Sequence, residues 1–184
     1  MIKILDSILT KEECFELIKL GSEKMQAAAT LGTLMEGYRT ADNSWIYDTT
    51  ELTQKIKNLV AKESGLPVEN QEEIHIVRYN IGGQYKAHHD FFHPNESYYE
   101  TSTGKAGQRT FSFLFYLNHN FTGGETEFTH KKIKIIPKTG RLLIWRNMNE
   151  DGTLDYDSMH AGLPVLSGTK YIAIVWVREN KFKQ

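Results

Sequence analysis

The run from Tyr79 to Asp90, Tyr-Asn-Ile-Gly-Gly-Gln-Tyr-Lys-Ala-His-His-Asp, carries residue types suited to chemistry, and a second run, Met159 to Trp176, adds a histidine and a lysine. In an extended strand alternate side chains share a face, so the spacing predicts that His88 and Asp90 point one way and His89 the other. Two adjacent ligands of a first-row metal then need only a third, and His160 can supply it. Two histidines and one carboxylate leave neighbouring positions open on ferrous iron for a cosubstrate and dioxygen. The chemistry to expect is that of an oxygenase. By spacing alone His89 and His93, which also flank Asp90, allow a different ligand set. His75, His119 and His130 have no partner at ligand spacing and read as structural.

Lys170 opens the apolar run Tyr-Ile-Ala-Ile-Val-Trp-Val and shares its strand parity with Ile172, Ile174 and Trp176. A lysine on such a face is costly unless its ammonium meets an anion, and no carboxylate stands nearby in sequence. A bound anion is one candidate partner. The alternative is that Lys170 lies at the solvent edge and snorkels outward.

These residues need a frame. Thr10-Lys-Glu-Glu13 has the form of a capping box, and Cys14, Leu17 and Ile18 follow at helical spacing, which predicts a helix over about 11–25. A second helix, capped by Asp48, Thr49 or Thr50, has the stripe Leu52, Ile56, Leu59 and Val60 and ends before Gly65. The stretch 36–49 between them reads as a loop or irregular hairpin. From Glu72 the texture changes to short β-rich segments at 73–79, 85–92, 109–118, 125–128, 132–136, 141–145 and 170–178, punctuated by Gly, Asn and Pro. That pattern predicts a mainly β fold with flanking α, a jelly roll with the helices packed on one outer face. Residues 92–108 form a long polar stretch with Tyr98 and Tyr99 embedded, which reads as a lid over the metal ligands, or otherwise as a surface loop.

The 184 residues fit a single domain over 1–184, with a helical part to about 70 and a jelly-roll core over about 71–180. Charged residues make up 24% and hydrophobic ones 40%, which argues against extensive disorder. The net charge of -1 gives no footprint for nucleic acid. Cys14, the only cysteine, excludes an intrachain disulfide. Asp6 interrupts what would be the apolar core of a secretion signal, and no apolar run approaches the ~20 residues that span a bilayer. A cytoplasmic protein without membrane attachment is the expectation.

Taken together, several pieces resemble the catalytic domain of collagen-type prolyl 4-hydroxylases, iron(II)- and 2-oxoglutarate-dependent dioxygenases. They are Tyr79, the Gly-Gln-Tyr-x-x-His-x-Asp run ending at Asp90, Arg109 before Tyr116-Leu-Asn, Gly123-Gly-Glu-Thr126 with Phe128, and His160-Ala-Gly-x-Pro-Val with Gly168-x-Lys170. The resemblance runs in element order from about 5 to 177. It implies a double-stranded β-helix in which His88, Asp90 and His160 bind Fe(II). Lys170 would pair with the distal carboxylate of 2-oxoglutarate, helped by hydrogen bonds from Thr126 and Tyr79. Tyr85 and Arg109 match positions that contact the target peptide, Tyr85 packing on the proline ring. Trp176, about 20 Å along an extended strand from Lys170, is better placed to wall the substrate cleft.

The implied reaction hydroxylates peptidyl proline and converts 2-oxoglutarate and O2 to succinate and CO2, with ascorbate as reductant. The implied partner is a proline-containing peptide or protein, and no dedicated docking segment for a second subunit is evident. The sequence departs from the family pattern at Ala41, Leu163 and Tyr171, where serine, cysteine and tryptophan are common, and these positions bear on the substrate rather than on iron. The rival readings are an oxygenase of another amino acid or side chain, and a jelly-roll protein whose triad holds zinc.

Overall fold

In the computed structural model, which describes residues 1–28 and 37–182, the β-strands are two-faced, and that alternation builds the molecule. In chain order the elements are β1 (Ile2–Leu5), α1 (Lys11–Ser22), β2 (Gln26–Ala27), β3 (Asp42–Ile46), α2 (Glu51–Ser64), β4 (Ile74–Tyr79), β5 (Tyr85–His88) and α3 (Tyr99–Thr103). There follow β6 (Arg109–Tyr116), β7 (Thr122–Gly123), β8 (Thr126–Phe128), β9 (Ile133–Ile135), β10 (Leu142–Arg146), β11 (His160–Gly162), β12 (Val165–Ser167) and β13 (Lys170–Arg178). A seven-stranded sheet runs β1-β10-β6-β13-β4-β3-β2, a four-stranded sheet runs β5-β11-β8-β9, and β12 pairs with β7.

Ile74 and Ile76 of β4, Phe113 and Phe115 of β6, Leu142 and Ile144 of β10 and Val175 of β13 all turn to one side, where they bury the apolar stripes of α1 and α2. The residues of opposite parity, including Val77, Tyr79, Leu114, Tyr116, Trp145, Ile172 and Trp176, form a second cluster that also takes in Phe128 of the smaller sheet. The helices therefore cover the outer face of the large sheet, and its inner face meets the small sheet. This is the expected mainly β jelly roll with helices on one face. Among the described residues no helix is long and apolar enough to cross a membrane.

Both helices start where their side chains can cap them. Thr10 and Glu13 exchange hydrogen bonds in a complete capping box, and Thr50 accepts from the Thr53 N–H. α2 closes on Gly65 at φ 72°, a left-handed turn that glycine adopts without strain. α1 ends at Ser22 rather than Met25, with the Lys24 N–H bonding back to Gly21 O before the chain enters β2.

Three differences from the sequence expectation bear on the site. The part before residue 70 is not purely helical: β1, β2 and β3 belong to the large sheet. Residues 42–46, expected in a loop or irregular hairpin, are the strand β3 of the large sheet, whose Trp45 and Ser44 pair with His75 and Ile76 of β4; Glu36 lies outside the described residues. The stretch 92–108 contains the short helix α3, and its ends are tied together. Gln108 accepts from the Phe92 N–H at 2.9 Å and donates to Phe92 O at 2.5 Å.

α1 approaches the sheet closely because Gly21 faces Ile76, where an added Cβ would lie 2.7 Å from Ile76 Cγ2. Gly21→Ala is therefore expected to destabilise the fold by about 1–3 kcal/mol through overpacking, outweighing the helical propensity gained. The midpoint of urea unfolding measures it.

Candidate active site

β5 and β11 lie side by side, and their pairing sets His160 opposite His88. β5 ends at His88, so Asp90 is positioned outside the ladder, yet its Oδ1 lies 3.6 Å from His88 Nε2 and 3.8 Å from His160 Nε2. Ligand atoms of the three side chains all fall within 4.8 Å of one another, the only such group of three or more metal-ligating residues among those described. His89 and His93 instead face each other, Nδ1 to Nε2 at 3.2 Å, and do not join the cluster.

Each of the three side chains is oriented from behind. His88 Nδ1 donates to Lys86 O at 2.8 Å and His160 Nδ1 to Ser158 O at 2.9 Å, which leaves both Nε2 lone pairs toward Asp90. Asp90 Oδ2 accepts from Ser112 Oγ at 2.5 Å, and Ser112 Oγ accepts from Asn147 Nδ2 at 2.9 Å. Oδ1 is thereby left for an ion. Burial alone would raise the Asp90 carboxyl, but His160 and His88 beside it hold it far below the usual carboxylate range. Burial and the neighbouring His88 push His160 down to about 4. A carboxylate beside a neutral imidazole is the protonation state that binds a divalent metal. The donor set, the fixed tautomers and the anchored carboxylate fit ferrous iron.

Lys170 is 2% exposed, so the outward-snorkelling alternative is excluded. Its Nζ donates to Gly124 O at 2.7 Å and lies 5.0 Å from the centre of the Tyr79 ring, opposite which β13 pairs it. Gly124 sits at φ 68°, where a side chain is strained, and an added Cβ would press on Phe121 Cε2 at 3.0 Å and Lys170 Cδ at 3.1 Å. An ammonium has three N–H donors, and Gly124 O takes one. Burial, only partly countered by Glu125, pushes Lys170 down to about 8. A dicarboxylate entering here would relieve that penalty. Thr126 Oγ1 already accepts from Tyr116 Oη at 2.7 Å, which leaves its own proton to donate elsewhere.

All nine residues singled out from the sequence line one cleft of about 860 Å³: His88, Asp90, His160, Tyr79, Thr126, Lys170, Tyr85, Arg109 and Trp176. Within it Tyr85 stacks on His88 with ring centres 3.5 Å apart, and the Arg39 guanidinium lies 4.8 Å from the Tyr85 ring centre. Arg109 is held more firmly than its expected role suggests. Its Nε and Nη2 donate to the two Glu72 oxygens at 2.6 and 2.7 Å, and its guanidinium carbon lies 3.7 Å from the Trp176 ring centre. Burial would raise Glu72, but Arg109 and Arg178 keep it below the ordinary range, so it stays an anion.

Sequence reasoning missed several supports. Ser112 stands on the inner parity of β6 beside Thr110, Leu114 and Tyr116, and Tyr116 entered only as part of the Tyr-Leu-Asn piece, without a role; Asn147 gave no local signal. Arg178 joins Glu72 to the far end of the 92–108 stretch, with Nη1 donating to Glu72 Oε1 at 2.9 Å and Nη2 to Ser102 O at 2.6 Å and Gly107 O at 2.7 Å. His93, Glu96 and Tyr98 of that stretch line the cleft.

A family model described as the 2OG-Fe(II) oxygenase superfamily matches residues 74–178, more than half of the chain. The chain is 28% identical over 206 residues to prolyl 4-hydroxylase 2 of Arabidopsis thaliana, spanning 97% of this chain and 67% of that protein. It is 30% identical over 188 residues to the prolyl 4-hydroxylase subunit alpha-1 of Gallus gallus, of whose length it spans only 36%. Among solved structures it resembles a viral collagen prolyl hydroxylase from Paramecium Bursaria Chlorella virus-1, in complex with 2OG. There the TM-score is 0.78 and the identity 26%, over 98% of this chain and 96% of that one. Family and triad together imply Fe(II) and 2-oxoglutarate. The chain belongs to the 2OG-Fe(II) oxygenase superfamily and is an oxidoreductase related to the prolyl 4-hydroxylases.

Proposed function

We propose that the protein is a prolyl 4-hydroxylase acting on an extended, proline-containing segment of a peptide or protein. The observation that carries this reading is the buried Lys170 ammonium, which shares one cleft with the His88, Asp90 and His160 cluster and has no carboxylate bonded to it among the described residues. His88, Asp90 and His160 would hold Fe(II). Lys170, Thr126 and Tyr79 would hold 2-oxoglutarate by its distal carboxylate. When bound, iron and 2-oxoglutarate supply the oxidising chemistry, in which one atom of O2 enters a substrate C–H bond and the other enters succinate as CO2 is lost.

The chain's own residues position and shield. Tyr85 offers a rigid aromatic surface for the pyrrolidine ring of proline, and Trp176 with the paired Arg109 forms another part of the cleft lining. The stretch 92–108, anchored at Gln108 and Arg178, would cover the peptide and exclude water during turnover. Ascorbate would keep the iron ferrous. The names of the similar proteins support proline as the target, and the open cleft with aromatic walls supports a peptide over a free amino acid.

The test is mass spectrometry of synthetic proline-containing peptides after incubation with enzyme, Fe(II), 2-oxoglutarate and ascorbate. One added oxygen on proline, with matching succinate, is expected. Full activity on another residue beside silent proline peptides would overturn the choice of substrate and leave the oxygenase intact.

A further inference from the structure

β4 presents three residues to the inner face, His75, Val77 and Tyr79, and His75 is the one that the chemistry above leaves without a task. It is 2% exposed and lines the cleft, with its ring stacked on Trp45 at 4.2 Å and 5.4 Å from Trp176 between ring centres. Among the described residues neither ring nitrogen has a hydrogen-bond partner, and neither does Nε1 of the adjacent Trp176. A buried polar group left unpaired costs about 1–3 kcal/mol, and an apolar ring of the same shape would avoid that cost. Two such groups side by side in the lining of the cleft hold hydrogen-bonding capacity that a ligand bound there can use.

Their chemistry narrows the ligand. Burial, together with Arg39 and Arg109 nearby, keeps His75 well below the ordinary histidine range, so the ring is neutral and offers one donor and one acceptor. Trp176 offers a donor only. A matching group therefore needs an acceptor and a donor together. A carboxylate lacks the donor, and the nearby Arg109 is already paired with Glu72. An ammonium lacks the acceptor. One residue of an extended peptide has both, because its own N–H and C=O point the same way.

We infer that His75 and Trp176 form a subsite for the backbone N–H and C=O of one extended substrate residue, one that carries an N–H and so is not proline. The inference rests on the prolyl reading above and deepens it. His75 is a specificity-determining residue that disfavours consecutive prolines, because an imino-acid neighbour has no proton for the imidazole lone pair.

The test compares peptides whose residues flanking the target proline are, one position at a time, alanine or N-methylalanine, with wild-type holoenzyme, His75→Phe and His75→Gln. At one flanking position N-methylation should raise the peptide KM of the wild type by about tenfold, the value of one buried hydrogen bond. His75→Phe should show no such ratio, because its affinity for the parent peptide is already reduced. His75→Gln, which restores a donor and an acceptor, should recover the ratio at least in part. His75→Phe should also unfold at no lower urea concentration than the wild type, which shows that a fall in affinity is not a fall in folding. An N-methyl ratio equal in wild type and His75→Phe at every position overturns the subsite while leaving the prolyl reading intact. Wild type that hydroxylates no peptide of the panel overturns both.

Discussion

Lys170→Met is expected to raise the 2-oxoglutarate KM about 100-fold, leave the peptide KM within about threefold, and yield a protein no less stable than the wild type, on the scale of a lost buried ion pair. The side chain is buried and its one hydrogen bond among the described residues goes to Gly124 O, so without the diacid its charge is a liability of the folded state. Methionine keeps the bulk and removes the charge. The same reasoning fixes a pH signature. The folded Lys170 sits at about 8, below its ordinary value of 10.5. Between those values the unfolded chain holds a proton that the folded chain lacks, so stability without cosubstrate rises with pH through that window and the penalty is full below it. The Met variant lacks this rise. Binding of a dianion needs the protonated amine, so the wild-type requirement for 2-oxoglutarate should climb above pH 8. Urea unfolding at two pH values and succinate formation read the two effects; equal increases in both KM values would make Lys170 structural.

Why this lysine was legible and other residues were not follows from what a strand pattern records. Parity put Lys170 on one face with Ile172, Ile174 and Trp176, and a charge on an apolar face stands out wherever the strand lies. The same parity argument, applied to β4, groups His75 with Tyr79, but a histidine in an apolar strand is unremarkable until its neighbours prove unable to bond it. β3 was hidden because Asp42-Asn-Ser44 has poor strand propensity, and only the ladder to β4 makes it extended. Asn147 reaches Asp90 through Ser112 across two strands, a connection with no sequence period at all. The 92–108 stretch read as a loop because its anchors are distant in sequence: Arg178 holds Ser102 and Gly107 from the end of β13. Local pattern gave most of the elements and the candidate ligands. The long-range hydrogen bonds that orient those ligands depend on which strands become neighbours.

That division predicts a graded loss around the metal. Asp90→Ala removes the only carboxylate of the cluster and the only negative charge between two imidazoles, so succinate formation should fall to the level seen without added iron, with or without peptide. Ser112→Ala keeps all three ligand side chains but releases Asp90 Oδ2, so the carboxylate can rotate and present either oxygen. Loss of such an orienting partner typically costs 10–100-fold in metal affinity, and the Fe(II) concentration for half-maximal turnover should rise by about that factor. At saturating Fe(II) the Ser112 variant should regain most of its rate, whereas Asp90→Ala should not recover at any concentration. An Fe(II) titration of succinate formation on both variants separates the outcomes. If Ser112→Ala matched the wild type throughout, Asp90 would be oriented by the histidines and the strand end alone, and the Ser112 and Asn147 pair would serve only to fill the space between the sheets.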